Sequence, residues 1–95
     1  MKVVFSDLAR TRLHDIQGHI AFHNIRAAEK VVDRILYAAE MLGDHPMLGT
    51  VWKDGPTRAL VVPGLPYWVH YRVVGEVVEV ITVAHTRQLP MGEGG

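Results

Sequence analysis

The segment PYWVHYRVVGEVVEVITVAHTR, Pro66 to Arg87, decides the fold. Tyr67, Val69, Tyr71 and Val73 alternate with Trp68, His70, Arg72 and Val74, the period of two that a strand imposes on its side chains. Gly75-Glu76 interrupts the run as a turn. Beyond it Val78, Val80, Thr82 and Ala84 share one side, and Val77, Glu79, Ile81, Val83 and His85 the other. Both sides of this second run are apolar enough for a strand inside a sheet that is covered on both faces. The segment therefore reads as a β-hairpin. It also carries Tyr71, Arg72, His85 and Arg87, side chains suited to cleaving RNA, gripping a phosphate or docking on a protein.

Upstream, Thr57–Val62 and the VWK at 51–53 are two further strand candidates, separated from each other and from the hairpin by DGP and PGLP turns. Before them lies a helical hairpin. Ser6 is a good N-cap with Asp7 in the first turn, and Ala9, Leu13, Ile16 and Ile20 form one apolar stripe. Gly18 interrupts that helix, at a cost of up to about 1 kcal/mol relative to alanine, which close packing would justify. Asn24 caps a second helix whose stripe is Ala28, Val31, Val32, Ile35, Ala39 and Leu42. Gly43 falls where a residue just past a helix end is expected, and Pro46 forbids continuation. With KVVF at 2–5 as a short first strand, the order is β-α-α-β-β-β. This predicts an α+β domain, an N-terminal strand and an antiparallel helical hairpin packed on a small, mostly antiparallel sheet of three or four strands.

Composition bounds the rest. Ninety-five residues make a single domain, expected over 1–88 with a flexible tail at 89–95. Hydrophobic residues are 48% and charged ones 21%, a globular balance. Cysteine is absent, and neither a signal peptide nor a membrane span is legible, so a cytoplasmic protein is expected. Ten Lys/Arg balance ten Asp/Glu. A chain that lives on nucleic acid usually carries a basic footprint, because phosphate neutralisation supplies most non-specific affinity. This one carries none.

Taken together, RAAEKVVDRILYAAEMLGDHPMLG and TRALVVPGLPYWVHYRVVGEVVEVITVAHTR resemble the ParE/RelE superfamily of toxins from bacterial type II toxin–antitoxin modules. The resemblance runs from about Val3 to Arg87 and rests on the order and spacing of RAAE, HPMLG, Arg58, YWVHYRV and the closing V-A-H-T-R. It implies the fold just derived, a cognate antitoxin as partner, and one of two targets. RelE-like members cut messenger RNA in the ribosome, and ParE-like members poison DNA gyrase. It also implies no direct DNA binding except through the antitoxin.

Metal-free RNA cleavage needs a base for the 2′-hydroxyl, an acid for the leaving oxygen and cations for the developing charge. Carried over position by position, the RelE-like pattern keeps Arg58 and Arg87 but sets Leu60 and Trp68 where further cations are expected, and no tyrosine follows Arg87. His85, Arg87, Arg58 and Tyr71 are the catalytic candidates if the nuclease reading holds, His85 being the base. A protein-docking role for the hairpin is expected instead, through Arg58, Trp68, Arg72, His85 and Arg87. The three arginines are expected to form one compact cationic patch, suited to bidentate capture of carboxylate or phosphate. The competing arrangement for Arg72 is an ion pair with Glu79 across the hairpin.

The remaining candidates are weaker. His19 and His23 lie at i, i+4, a metal-compatible spacing, but no third ligand accompanies them, so neither metal nor cofactor is expected. Nothing resembles a nucleotide-binding loop. Leu8, Leu36 and Tyr37 fall beside the helix stripes and exceed what the sheet needs. They are expected to help form an antitoxin groove between the helical hairpin and an unpaired strand edge.

Overall fold

One residue, Ser6, ends the first strand and starts the first helix in this computed structural model, which describes residues 1–53 and 55–87. Its hydroxyl accepts from the Ala9 N–H at 3.0 Å, closing the N-cap of α1 (Asp7–Ala21), and donates to the Ile81 carbonyl at 2.6 Å. The same side chain thus starts a helix and fastens it to the last strand. Asn24 repeats the capping device for α2 (Ile25–Asp44), accepting from Ala27 N–H at 3.0 Å. Three residues link the helices, which lie antiparallel as their stripes require. Ala9 of α1 and Ala28, Ile35, Ala38, Ala39 and Leu42 of α2 are buried, with Leu13, Ile16 and Val31 packed partly against them.

Two glycines behave differently from expectation. Gly43 is not past the end of α2 but inside its last turn, where it is buried. A Cβ there would sit 2.5 Å from the Met1 carbonyl oxygen, so the residue is small because the start of the chain crosses the helix at that point. The terminal ammonium donates to the Gly43 carbonyl at 2.7 Å. Gly18, by contrast, permits no close contact, since a Cβ would meet nothing within 4 Å. Gly18→Ala should therefore recover most of the helix-propensity difference and stabilise the domain by about 0.5–1 kcal/mol. A chemical-denaturation midpoint no higher than the parent's would contradict this.

Among the described residues the sheet has five strands in the order β1-β5-β4-β3-β2, from β1 (Lys2–Phe5), β2 (Thr50–Val51), β3 (Thr57–Val61), β4 (Tyr67–Val74) and β5 (Val77–His85). All pairings are antiparallel except β1 with β5. After the helical hairpin the chain re-enters the sheet at the far edge, and its first strand closes the other. The α+β architecture holds, with one or two more strands than expected. Gly75 opens the β4–β5 turn at φ +60°, a left-handed value that glycine adopts without strain.

The alternation of β4 is as read, but that of β5 is not. His70 pairs with Thr82 and Tyr71 with Val80, so Ile81 is one residue extra on β5, a β-bulge. The bulge resets the side-chain period. Val78 and Val80 share a side as expected, and that side faces the helices. Beyond it Val83 and His85, opposite Val69 and Tyr67, turn to that face instead of Thr82 and Ala84. Thr82 and Ala84 join His70 and Trp68 on the far face. The tail expected at 89–95 lies outside the described residues.

Candidate functional site

Tyr71 organises one end of the sheet. Although 0% exposed, it keeps its hydroxyl fully engaged, donating to the Pro46 carbonyl at 2.7 Å and accepting from Gly49 N–H at 2.9 Å. Burial raises its pKa above the usual phenol value, against the opposing pull of the Gly49 bond and the Arg58 charge. The phenol is held as a neutral structural group. Arg58 pairs in register with Tyr71, so it points to the same, helix-side face, where its Nη1 donates to the Gly49 carbonyl at 2.7 Å. Both catalytic candidates are committed to the 46–49 connection.

Arg72 follows Tyr71 on β4 and so projects from the opposite face. There its Nε meets Glu79 Oε1 at 2.6 Å, the cross-hairpin ion pair that competed with a docking role. Arg87 lies past the end of β5 in a turn, and its backbone N–H donates to His85 Nδ1 at 3.0 Å. That bond leaves the ring proton of neutral His85 on Nε2. The His85 ring meets Tyr67 edge-on at 5.5 Å and lines a cleft with Arg12, Asp15 and His19 of α1. The three arginines do not form the compact patch expected of them: Arg58 and Arg72 occupy opposite faces, and the bulge sends His85 to the helix side, away from Arg72 and Trp68. His85 and Arg87 alone remain adjacent.

A second feature is a groove of about 600 Å³ between α2 and the outer part of β3. Tyr37, Ala38 and Met41 form one wall, Leu60, Val62 and Pro63 the other, and Leu48 closes an end. Charge is confined to Asp33 and Arg34, and the Arg34 guanidinium is tied to the Pro63 carbonyl. β2 pairs with β3 only at Arg58 and Ala59, so Leu60 and Val61 lie at an edge without a strand beyond them among the described residues. Tyr37 is 69% exposed and Leu48 52%. Of the three residues expected to form an antitoxin groove, Tyr37 lines this one. Leu8, exposed on the first turn of α1, and Leu36, half-buried, are not on its walls.

Sequence and structural comparison give the family and the fold. The family model described as ParE toxin of type II toxin-antitoxin system, parDE, matches residues 3–90. The chain belongs to the ParE toxin family. Within it, the chain is 36% identical over 80 residues to the putative toxin Y4kP of Sinorhizobium fredii, covering 84% of this chain and 82% of that protein. The fold is similar to a chain of the chromosomal ParDE TA system from P. aeruginosa, with a TM-score of 0.79 at 19% identity over 90% of this chain and 95% of that one.

One residue of this ParE-family chain escaped the sequence reading. His70 is 0% exposed, with Nε2 3.0 Å from Thr57 Oγ1, and Trp52 stands over it from beyond β2. The only signal in the sequence was a histidine on the mixed side of β4, which by itself suggests exposure. His19 and His23 have ring centroids 6.4 Å apart, and among the described residues no group of three His, Cys, Asp or Glu side chains is placed to hold a metal. No described helix is long and apolar enough to cross a membrane.

Proposed function

We propose that this chain is a cytoplasmic toxin that stops growth by binding a protein, DNA gyrase, and that a cognate antitoxin neutralises it by lying in the α2–β3 groove. The observation that carries the docking reading is the commitment of Tyr71 and Arg58. With both bound to the 46–49 connection, and Arg72 tied to Glu79 on the other face, cleavage chemistry lacks an assembled base, acid and cation set. A neutral chain also suits a protein target better than ribosomal RNA. His85 and Arg87, side by side at the end of β5, are the target contacts this reading favours. The groove offers a partner both an apolar trough and an unpaired edge, the two elements an amphipathic or extended segment uses. The ParDE description of the structural neighbour agrees with an antitoxin partner.

Purified protein added to a gyrase supercoiling assay should inhibit it or trap cleaved DNA, and should leave messenger RNA on translating ribosomes intact. His85→Gln keeps hydrogen bonding without the titratable base and should retain most of the inhibition. Cuts in ribosome-bound messenger RNA that vanish in a folded His85→Gln protein, with supercoiling unaffected by the parent, would establish the nuclease reading instead.

A further inference from the structure

The sheet face away from the helices holds a second, smaller core. Both tryptophans of the chain are in it. The Trp52 ring lies 6.4 Å from Trp68 and 6.5 Å from His70 between centroids, edge-on to each. Its backbone N–H donates to the Thr57 carbonyl at 2.9 Å, and the Thr57 hydroxyl is the group 3.0 Å from His70 Nε2. Trp52 and His70 are thus fastened to the same residue, one through its main chain and the other through its side chain. Just beyond Trp52, Lys53 takes φ 48°, a left-handed conformation that is strained for a residue with a Cβ and persists only when its surroundings hold it.

Beneath this cover two polar atoms, Trp68 Nε1 and His70 Nδ1, are buried without a hydrogen-bond partner. Such atoms are costly, and the cost rises steeply if one of them acquires charge. Protonated His70 would present an N–H at Nδ1 with nothing to accept it. The neighbouring strands face the ring with Thr57 and Ala59 from β3 and Thr82 and Ala84 from β5. Among the described residues, the charged groups that line the adjoining cleft of about 670 Å³ are Lys53, Arg72 and Glu79. Two are cations, and the carboxylate is held by Arg72. Among the described residues, water is the remaining source of solvation for an imidazolium, and the buried His70 ring has the Trp52 ring packed edge-on beside it.

We propose that Trp52 is an acid-released cover, held over the sheet face by neutral His70 and freed when His70 is protonated. Burial lowers the His70 pKa below the ordinary 6.5, which fixes the window. Above pH 6.5 the closed and open states bind the same protons, and closure has its full stability. As pH falls from 6.5 toward the lowered value, the open state binds more, so closure weakens over that interval and no further below it.

Because Trp52 and Trp68 are the only tryptophans, intrinsic fluorescence reads this site alone. Between pH 8 and pH 5 the emission should shift to the red and become more accessible to acrylamide, with a midpoint below pH 6.5 and an unchanged far-ultraviolet circular dichroism spectrum. His70→Gln, neutral throughout, should abolish the shift. A flat parent profile, or a shift that survives in folded His70→Gln, overturns the proposal. If that variant does not fold, hydrogen exchange on the parent decides. Acid should speed exchange of the Trp52 amide, relative to its intrinsic rate, while the Val80 and Val83 amides keep their protection. Parallel loss at all three would mean ordinary acid unfolding and would equally overturn it.

Discussion

Tyr71→Ala is expected to leave the domain largely unfolded at room temperature. Removing a fully buried aromatic side chain costs about 3–5 kcal/mol through lost burial and the cavity left behind. The hydroxyl adds to this, because its loss strands the Pro46 carbonyl and the Gly49 N–H that it now satisfies. Each buried group left unpaired costs about 1–3 kcal/mol. Domains of this size have only about 5–15 kcal/mol in total. The phenylalanine variant separates the two contributions. Tyr71→Phe keeps the ring and should lose about 1–3 kcal/mol, which for a domain of this length lowers the thermal midpoint by roughly 5–20 °C. Gly49 gives an independent check, because a Cβ there would lie 2.7 Å from Tyr71 Cε1 and 3.0 Å from the Ala59 carbonyl oxygen. Gly49→Ala should therefore destabilise by about 1–3 kcal/mol through overpacking. A Tyr71→Phe protein with the parental urea midpoint would show that the hydroxyl does not hold the 46–49 connection.

Tyr37→Ala combined with Leu48→Ala should weaken antitoxin binding about 100-fold while leaving the fold intact. Both side chains line the groove and are more than half exposed, so truncating them removes little from the folded domain. On complex formation the same side chains would be desolvated near the centre of the contact. Aromatic anchors in such positions cost 2 kcal/mol or more when truncated, and a second apolar contact brings the sum to about 2.7 kcal/mol, or 100-fold. Leu36→Glu is the informative comparison, since Leu36 sits beside the helix stripe but off the groove walls. Titration of purified toxin with the antitoxin by calorimetry reads both. Parental affinity in the double variant, with circular dichroism unchanged, would move the antitoxin to another face.

The helices were legible because their signals are local. Ser6 and Asn24 cap where polar side chains before an apolar stripe should cap, and the stripes are buried as their spacing demands. β4 was equally legible, since a strict period of two needs no knowledge of neighbours. Gly43 was misread for the converse reason: its smallness answers to Met1, 42 residues away in sequence, not to the end of its own helix. His70 was assigned no role because nothing near it in sequence announces that Trp52 packs against it.

The sequence alone determined the α+β class, the helical hairpin between the first strand and the others, both helix starts and the resemblance to a toxin family. These depend on caps, turns and periodicities that act within a few residues. Only the tertiary structure decided which side chains meet. One extra residue at Ile81 turned His85 to the helix face, and the 46–49 connection engaged the Tyr71 hydroxyl and one nitrogen of Arg58. A bulge leaves no mark in a strand that is apolar on both sides, because every register buries valine equally well. The placement of these side chains was therefore set by pairing geometry between strands, an energy that no single segment carries.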